Sequence, residues 1–165
     1  MVGDLDDAAT FVDRAPVLNP NLAGAWYTSG WVRVHRGEPE IAIEHFARAM
    51  RLSPLDPQMI AMQAGTSFAH FLAGRYDQAS SWTEKAMWAQ ANYLTSIRIA
   101  AASKALAGKH TEAQEAVARL HELDSSMCIA NVRDGGKSLP SKPVNNETTL
   151  WCVLRHIPKS RRTDP

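Results

Sequence analysis

The sequence predicts an all-α fold: a helical-repeat array, or α-solenoid, of about three and a half helix–turn–helix units. The first observation is a set of recurring columns. Gly3, Gly37, Gly74 and Gly108 are separated by 34, 37 and 34 residues. Five residues after each glycine stands an alanine: Ala8, Ala42, Ala79 and Ala113. Seven residues further on come Ala15, Ala49 and Ala86, then Leu120. Pro20 and Pro54 open a fourth column, which continues as Ala91 and Ser125. The second observation is helical spacing of apolar residues between the columns, as in Ile43, Phe46, Ala47 and Met50, and in Phe68, Phe71 and Leu72. Each column has a physical reason. Glycine suits the left-handed position that ends a helix. Small residues seven apart lie on one helix face and let a neighbour approach closely. Proline stops the second helix of a unit and turns the chain into the next.

Taken in order, the pattern predicts a lone helix over about 4–18, disturbed at Pro16. Helix pairs follow at about 22–36 with 39–52, 57–73 with 76–89, and 93–107 with 111–123. Pro39 after Glu38 marks a first turn, and Asp56-Pro57 reads as a cap followed by a first-turn proline. Thr111 with Gln114 fits a capping box. The array therefore occupies 1–134, as a partial unit at 1–20 and units at about 21–56, 57–91 and 92–125. Residues 135–165 break the pattern and read as a flexible basic tail. The stretch DGGKSLPSKPVNNETT is rich in turn formers. After it, Leu150, Val153, Leu154 and Ile157 fall at helical spacing, so a short segment here suits a cap on the last unit, as helix or as strand.

Composition narrows the function classes. The 165 residues carry 18 basic and 17 acidic side chains, and 45% of residues are hydrophobic, as in an ordinary globular protein. Residues 1–134 hold 12 basic and 15 acidic groups, a net charge of −3, and residues 135–165 carry +4. A nucleic-acid partner calls for a basic array, so none is expected. No apolar run has the roughly 20 residues of a membrane span, so no membrane partner is expected. The opening MVGDLDDAAT has no apolar signal core, and Cys128 and Cys152 are too few for a disulfide scaffold. These features point to the cytoplasm.

The segment AGAWYTSGWVRVHRGEPEIAIEHFARAMRLSP resembles the tetratricopeptide repeat, with Trp26, Gly30, Gly37, Ala42, Phe46, Ala49 and Pro54 on that family's signature positions. FLAGRYDQASSWTEKAM is similar through Gly74, Tyr76, Ala79 and Ala86, and ALAGKHTEAQEAVARL through Gly108 and Ala113. The resemblance covers about residues 3–125. Three features depart from it. The aromatic residue expected late in each first helix is replaced by Arg33, His70 and Lys104. Extra residues around Leu55-Asp56-Pro57 lengthen one connection. Gly3 and Ala8 belong to a second helix whose first helix is missing, which suggests a fragment or a truncated frame. The wording GEPEIAIEHFARAMRLSPLDP also resembles the C-terminal repeat region of bacterial adenylate/guanylate cyclase-type and regulator signalling proteins. That likeness bears on origin, and no part of a cyclase catalytic domain is recognisable.

The family resemblance implies a non-catalytic module that binds a protein or peptide in a concave groove lined by the first helix of each unit. Carried over by position, the groove takes Tyr27, Trp31, Val34 and His35 from the first full unit. The second gives Ala64, Phe68, Phe71 and Leu72, and the third Arg98, Ala102, Ala105 and Leu106. Such a lining is largely apolar and suits a partner helix with apolar residues at i, i+3, i+4 and i+7. An aromatic stripe at helical spacing serves equally as core. Tyr27 and Trp31 stand where carboxylate-clamping members carry Lys and Asn, so capture of a C-terminal carboxylate is not expected. A mid-unit start would expose an apolar face, and pairing into a homodimer is the rival reading.

Catalytic and cofactor motifs are missing from the sequence. The six histidines form no H-E-x-x-H and the two cysteines no C-x-x-C, so no metal site is expected. Gly136-Lys137-Ser138 copies the end of a phosphate-binding loop, but Asn131 stands where its upstream glycine is needed. Neither an enzyme activity nor a cofactor is expected.

Overall fold

The computed structural model describes residues 17–123 continuously, together with Thr10, Val12, Arg14 and Ala15 before them. The tail at 135–165, its candidate cap, Gly3, Ala8, Pro16 and Ser125 lie outside the described residues. Thr10, Val12, Arg14, Ala15, Val17 and Leu18 are helical. In the continuously described stretch after them, six helices follow in order: α1 (Ala23–His35), α2 (Pro39–Leu52), α3 (Met59–Leu72), α4 (Tyr76–Ala89), α5 (Leu94–Leu106) and α6 (His110–Leu123). No strand occurs among the described residues. The chain is an all-α array of antiparallel helix pairs, α1 with α2, α3 with α4, and α5 with α6.

Each pair closes with the same turn. Gly37, Gly74 and Gly108 all adopt positive φ, at 73°, 73° and 78°. A side chain would strain the backbone there, which is why the glycine column is strict. The next residue's N–H reaches back to the helix: Glu38 to the Arg33 carbonyl at 2.9 Å, Arg75 to His70 at 2.9 Å, Lys109 to Lys104 at 2.8 Å. Helix carbonyls that would otherwise be orphaned are thereby satisfied. Pro39 opens α2 at its first turn. Two start signals sit differently from the sequence expectation. Asp56 Oδ1 accepts the Gln58 N–H at 2.8 Å, so Asp56 and Pro57 form a turn and α3 begins at Met59. His110 opens α6, which leaves Thr111 inside the first turn.

The alanine columns are the contact surfaces between helices. Ala42, Ala79 and Ala113, then Ala49 and Ala86, are completely buried, and Leu120 nearly so. Phe46 of α2 fills the junction between the first two pairs. A Cβ built on Gly30 of α1 would stand 2.6 Å from its ring, and one on Gly65 of α3 closer still. Both helices approach the same aromatic ring through a missing side chain. In the next junction the sizes are exchanged: Thr83 takes the position equivalent to Phe46 and Ile99 the one equivalent to Gly65, and both are fully buried. Ser67 replaces the small residue of Gly30, and its hydroxyl donates to the Ala79 carbonyl at 2.7 Å across the α3–α4 contact.

Arg33, His70 and Lys104, the polar residues in the expected aromatic column, each find a partner across their own turn. Arg33 pairs with Glu38, His70 Nδ1 accepts from Arg75 Nε at 3.0 Å, and Lys104 reaches Glu112 at 3.0 Å. Successive units are tied by ion pairs at matching positions. Arg75 binds both oxygens of Glu40, at 2.7 and 3.2 Å, and Lys109 binds Asp77 at 3.1 Å. The Arg75 contact holds the Glu40 carboxyl below its ordinary pKa, and the Asp77 contact raises Lys109.

Candidate binding face

The first helices of the pairs form one layer, in which α3 touches both α1 and α5. Successive second helices touch one another less than these do. The layer of α1, α3 and α5 is thus the inner one, and the candidate groove residues stand on it. Burial, and then the Tyr27 phenol, raise the pKa of Tyr93, the residue just ahead of α5.

Tyr27 and Trp31 are half-buried and backed by Phe46. The Tyr27 ring lies 6.4 Å from Phe46, and Trp31 meets it edge-on at 5.6 Å. Trp31 also stacks on exposed His35 at 6.2 Å. Both aromatics are anchored in the core on one side and accessible on the other. Leu72, Ala105 and Arg98 are half-buried, and Leu106 is exposed.

The remaining candidates sit in the core. Val34, Ala64 and Ala102 are fully buried. Phe68 and Phe71 are only 4% and 3% exposed. Their rings lie 6.2 Å apart, and Phe71 packs on Tyr76 at 5.8 Å. Adjacent aromatics one turn apart thus pack on each other and on α4, and present almost no surface to a partner. The accessible part of the inner face is Tyr27, Trp31 and His35 at one end, with Leu72, Arg98 and Leu106 toward the other.

A second aromatic feature lies elsewhere. Trp88 of α4 is 94% exposed and borders an open cavity of about 450 Å³ with Gln63, Glu84 and Lys85. Lys85 sits 4.1 Å over the ring of Trp82. The repeat columns carry no signal for this place; only the unmatched tryptophan late in a second helix could have pointed to it. Among the described residues no three His, Cys, Asp or Glu side chains gather to hold a metal ion. No described helix is long and apolar enough to cross a membrane.

No family model matches the chain, and no curated protein matches it. Several solved structures resemble it. "MamA MSR-1 C2" superposes with a TM-score of 0.64 at 20% identity, over 77% of this chain and 71% of that one. A crystal structure of MamA protein gives 0.64 at 18%, over 86% and 72%. YrrB, described as "a TPR protein with an unusual peptide-binding site", gives 0.60 at 21%, over 76% of this chain and 63% of its own. At these identities the likeness concerns the fold. With the three glycine turns, the buried alanine columns and the paired helices, it establishes a tetratricopeptide-type helical repeat array.

Proposed function

We propose that the chain is a non-catalytic protein-interaction module that takes a partner protein or peptide on its inner face. The observation that carries this reading is the Tyr27–Trp31 pair, accessible on one side and held by Phe46 on the other. Rigid aromatics backed by core are the usual anchors of a protein interface. Leu72 and Leu106 extend the apolar surface, and Arg98 adds a cation. A partner helix with apolar residues on one face fits this layout. The peptide-binding site named for YrrB supplies a precedent on the same fold. The test is selection from a displayed peptide library, followed by binding of the enriched peptides to Trp31→Ala and Trp88→Ala. The reading expects Trp31→Ala to weaken binding by about tenfold or more, as loss of an aromatic anchor does, with Trp88→Ala neutral. Peptides indifferent to Trp31→Ala refute it.

Self-association is favoured by a separate observation: Val17 and Leu18, ahead of α1, are 80% and 81% exposed. Light scattering over a dilution series tests it, and a monomer at every concentration removes it. Origin as the C-terminal part of a nucleotide-cyclase-type signalling protein rests on the wording of the repeats, and the upstream coding sequence decides it. Placement in the cytoplasm belongs to the same reading.

A further inference from the structure

The second full unit departs from the first at one place on its surface. Their turn glycines, Gly37 and Gly74, stand 37 residues apart, so Gln63 of α3 takes the position of Trp26 in α1. In the first unit the Trp26 ring fills that place. His45 meets it edge-on at 5.0 Å, and the Arg48 guanidinium lies 4.4 Å above it. The second unit has Trp82 and Lys85 at the positions of His45 and Arg48, and Lys85 lies 4.1 Å over the Trp82 ring instead. Gln63 is too small to replace the indole. It lines an open cavity of about 450 Å³ with Glu84, Lys85 and Trp88. Trp88 takes the position of Arg51 and is 94% exposed. A bare indole thus stands beside a cavity at a position where the first unit buries one.

We propose that the occupant of this cavity is Trp88 of a second copy, in a two-fold pair where each indole enters the other copy's cavity. A two-fold contact sets a patch against itself, so every feature must find its complement within the patch. Here each one does. Trp88 is the projection and the cavity receives it. Glu84 and Lys85, both exposed, offer a carboxylate and an ammonium that pair reciprocally across the axis. A buried indole N–H needs an acceptor. Gln63 supplies it: its Oε1 accepts no hydrogen bond among the described residues, and the amide turns about a soft terminal torsion. The two indoles together remove about 300–500 Å² from water. That is well short of what a permanent dimer buries, so the pair forms reversibly and with concentration. The contact uses neither Tyr27 nor Trp31 and does not rest on the inner-face reading. It is also separate from any pairing through Val17 and Leu18.

Sedimentation equilibrium of the full chain, over about 1 µM to about 1 mM, tests this. The unaltered protein is expected to pass from monomer to dimer. Trp88→Ala should raise the dissociation constant about tenfold or more, and Leu18→Asp should leave it unchanged. Charge variants check the reciprocal pairing. Glu84→Lys and Lys85→Glu each set like charges across the axis and should each stay monomeric, while an equimolar mixture of the two should dimerise. The proposal falls if the unaltered protein is monomeric throughout. It falls equally if the dimer survives Trp88→Ala, if only Leu18→Asp abolishes it, or if the mixed charge variants do not associate. Library-selected peptides that bind the unaltered monomer and are lost with Trp88→Ala would give the cavity to a foreign side chain, and so overturn it too.

Discussion

Replacing Gly65 with alanine tests the central packing argument. In a helix interior this change ordinarily stabilises, by about 1 kcal/mol, because alanine has the higher propensity. Here the new methyl would overlap the Phe46 ring. Carbon atoms in contact sit about 3.5–4.0 Å apart, so ring or helix must yield by roughly 1 Å. The ring cannot yield on its other side, where a Cβ on Gly30 would already stand 2.6 Å away. Phe46 is fully buried, with Tyr27 and Trp31 against it. The cost belongs at the upper end of overpacking, about 3 kcal/mol, leaving a net loss of about 2 kcal/mol. For a chain of this size that is a fall in Tm of about 4–8 °C. The assay is thermal and urea unfolding of four proteins: unaltered, Gly65→Ala, Phe46→Leu and the pair. Phe46→Leu removes the ring, so Gly65→Ala in that background should be neutral or stabilising, and the cycle should show strong coupling. A Gly65→Ala variant as stable as the unaltered protein, or an additive cycle, refutes the reasoning.

Three further outcomes are expected. Burial, then the neighbouring Arg75, holds His70 below the ordinary histidine pKa, so the unfolded chain binds its proton first. Stability should therefore be complete above about pH 6.5 and fall as pH drops toward the folded value, and His70→Gln should flatten that part of a pH–Tm profile. Trp26→Phe removes the 2.9 Å bond to the Pro20 carbonyl and weakens the site under Arg48, 4.4 Å above the ring; a loss of about 1 kcal/mol in urea unfolding is expected. Gly74→Ala forces a side chain into the left-handed region and should cost about 1–2 kcal/mol, while Gly24→Ala, with nothing within 4 Å of its Cβ, should not destabilise.

What could be read from the sequence follows from how local each constraint is. The left-handed turns at Gly37, Gly74 and Gly108, and the small residues at Ala42, Ala79 and Ala113, each admit few residue types, so they recur visibly. The candidate face was less legible. Phe68 and Phe71 have the spacing of a groove lining, but the same spacing makes a core, and only the neighbouring Tyr76 and the packing of α3 decide. Arg33, His70 and Lys104 looked like breaks in the pattern because their partners stand beyond the turn. The role of Gly65 depends on a ring 19 positions away in sequence and on another helix.

The ion pairs between units carry a consequence for modularity. A unit can follow a copy of itself only if its entry and exit residues are complementary. The first full unit would set Glu38 against Glu40, and the third Lys109 against Thr111. The second would set Arg75 against Asp77, a pairing of the kind already used at both junctions. The core dissents, since a duplicated second unit brings Thr83 to Gly65 and leaves unfilled the space that Phe46 occupies. Charge thus nominates the middle unit as the building block for a longer array, and volume sets the condition: Thr83→Phe together with Ser67→Gly in the leading copy, since the ring at 46 is received by Gly30 as well as by Gly65.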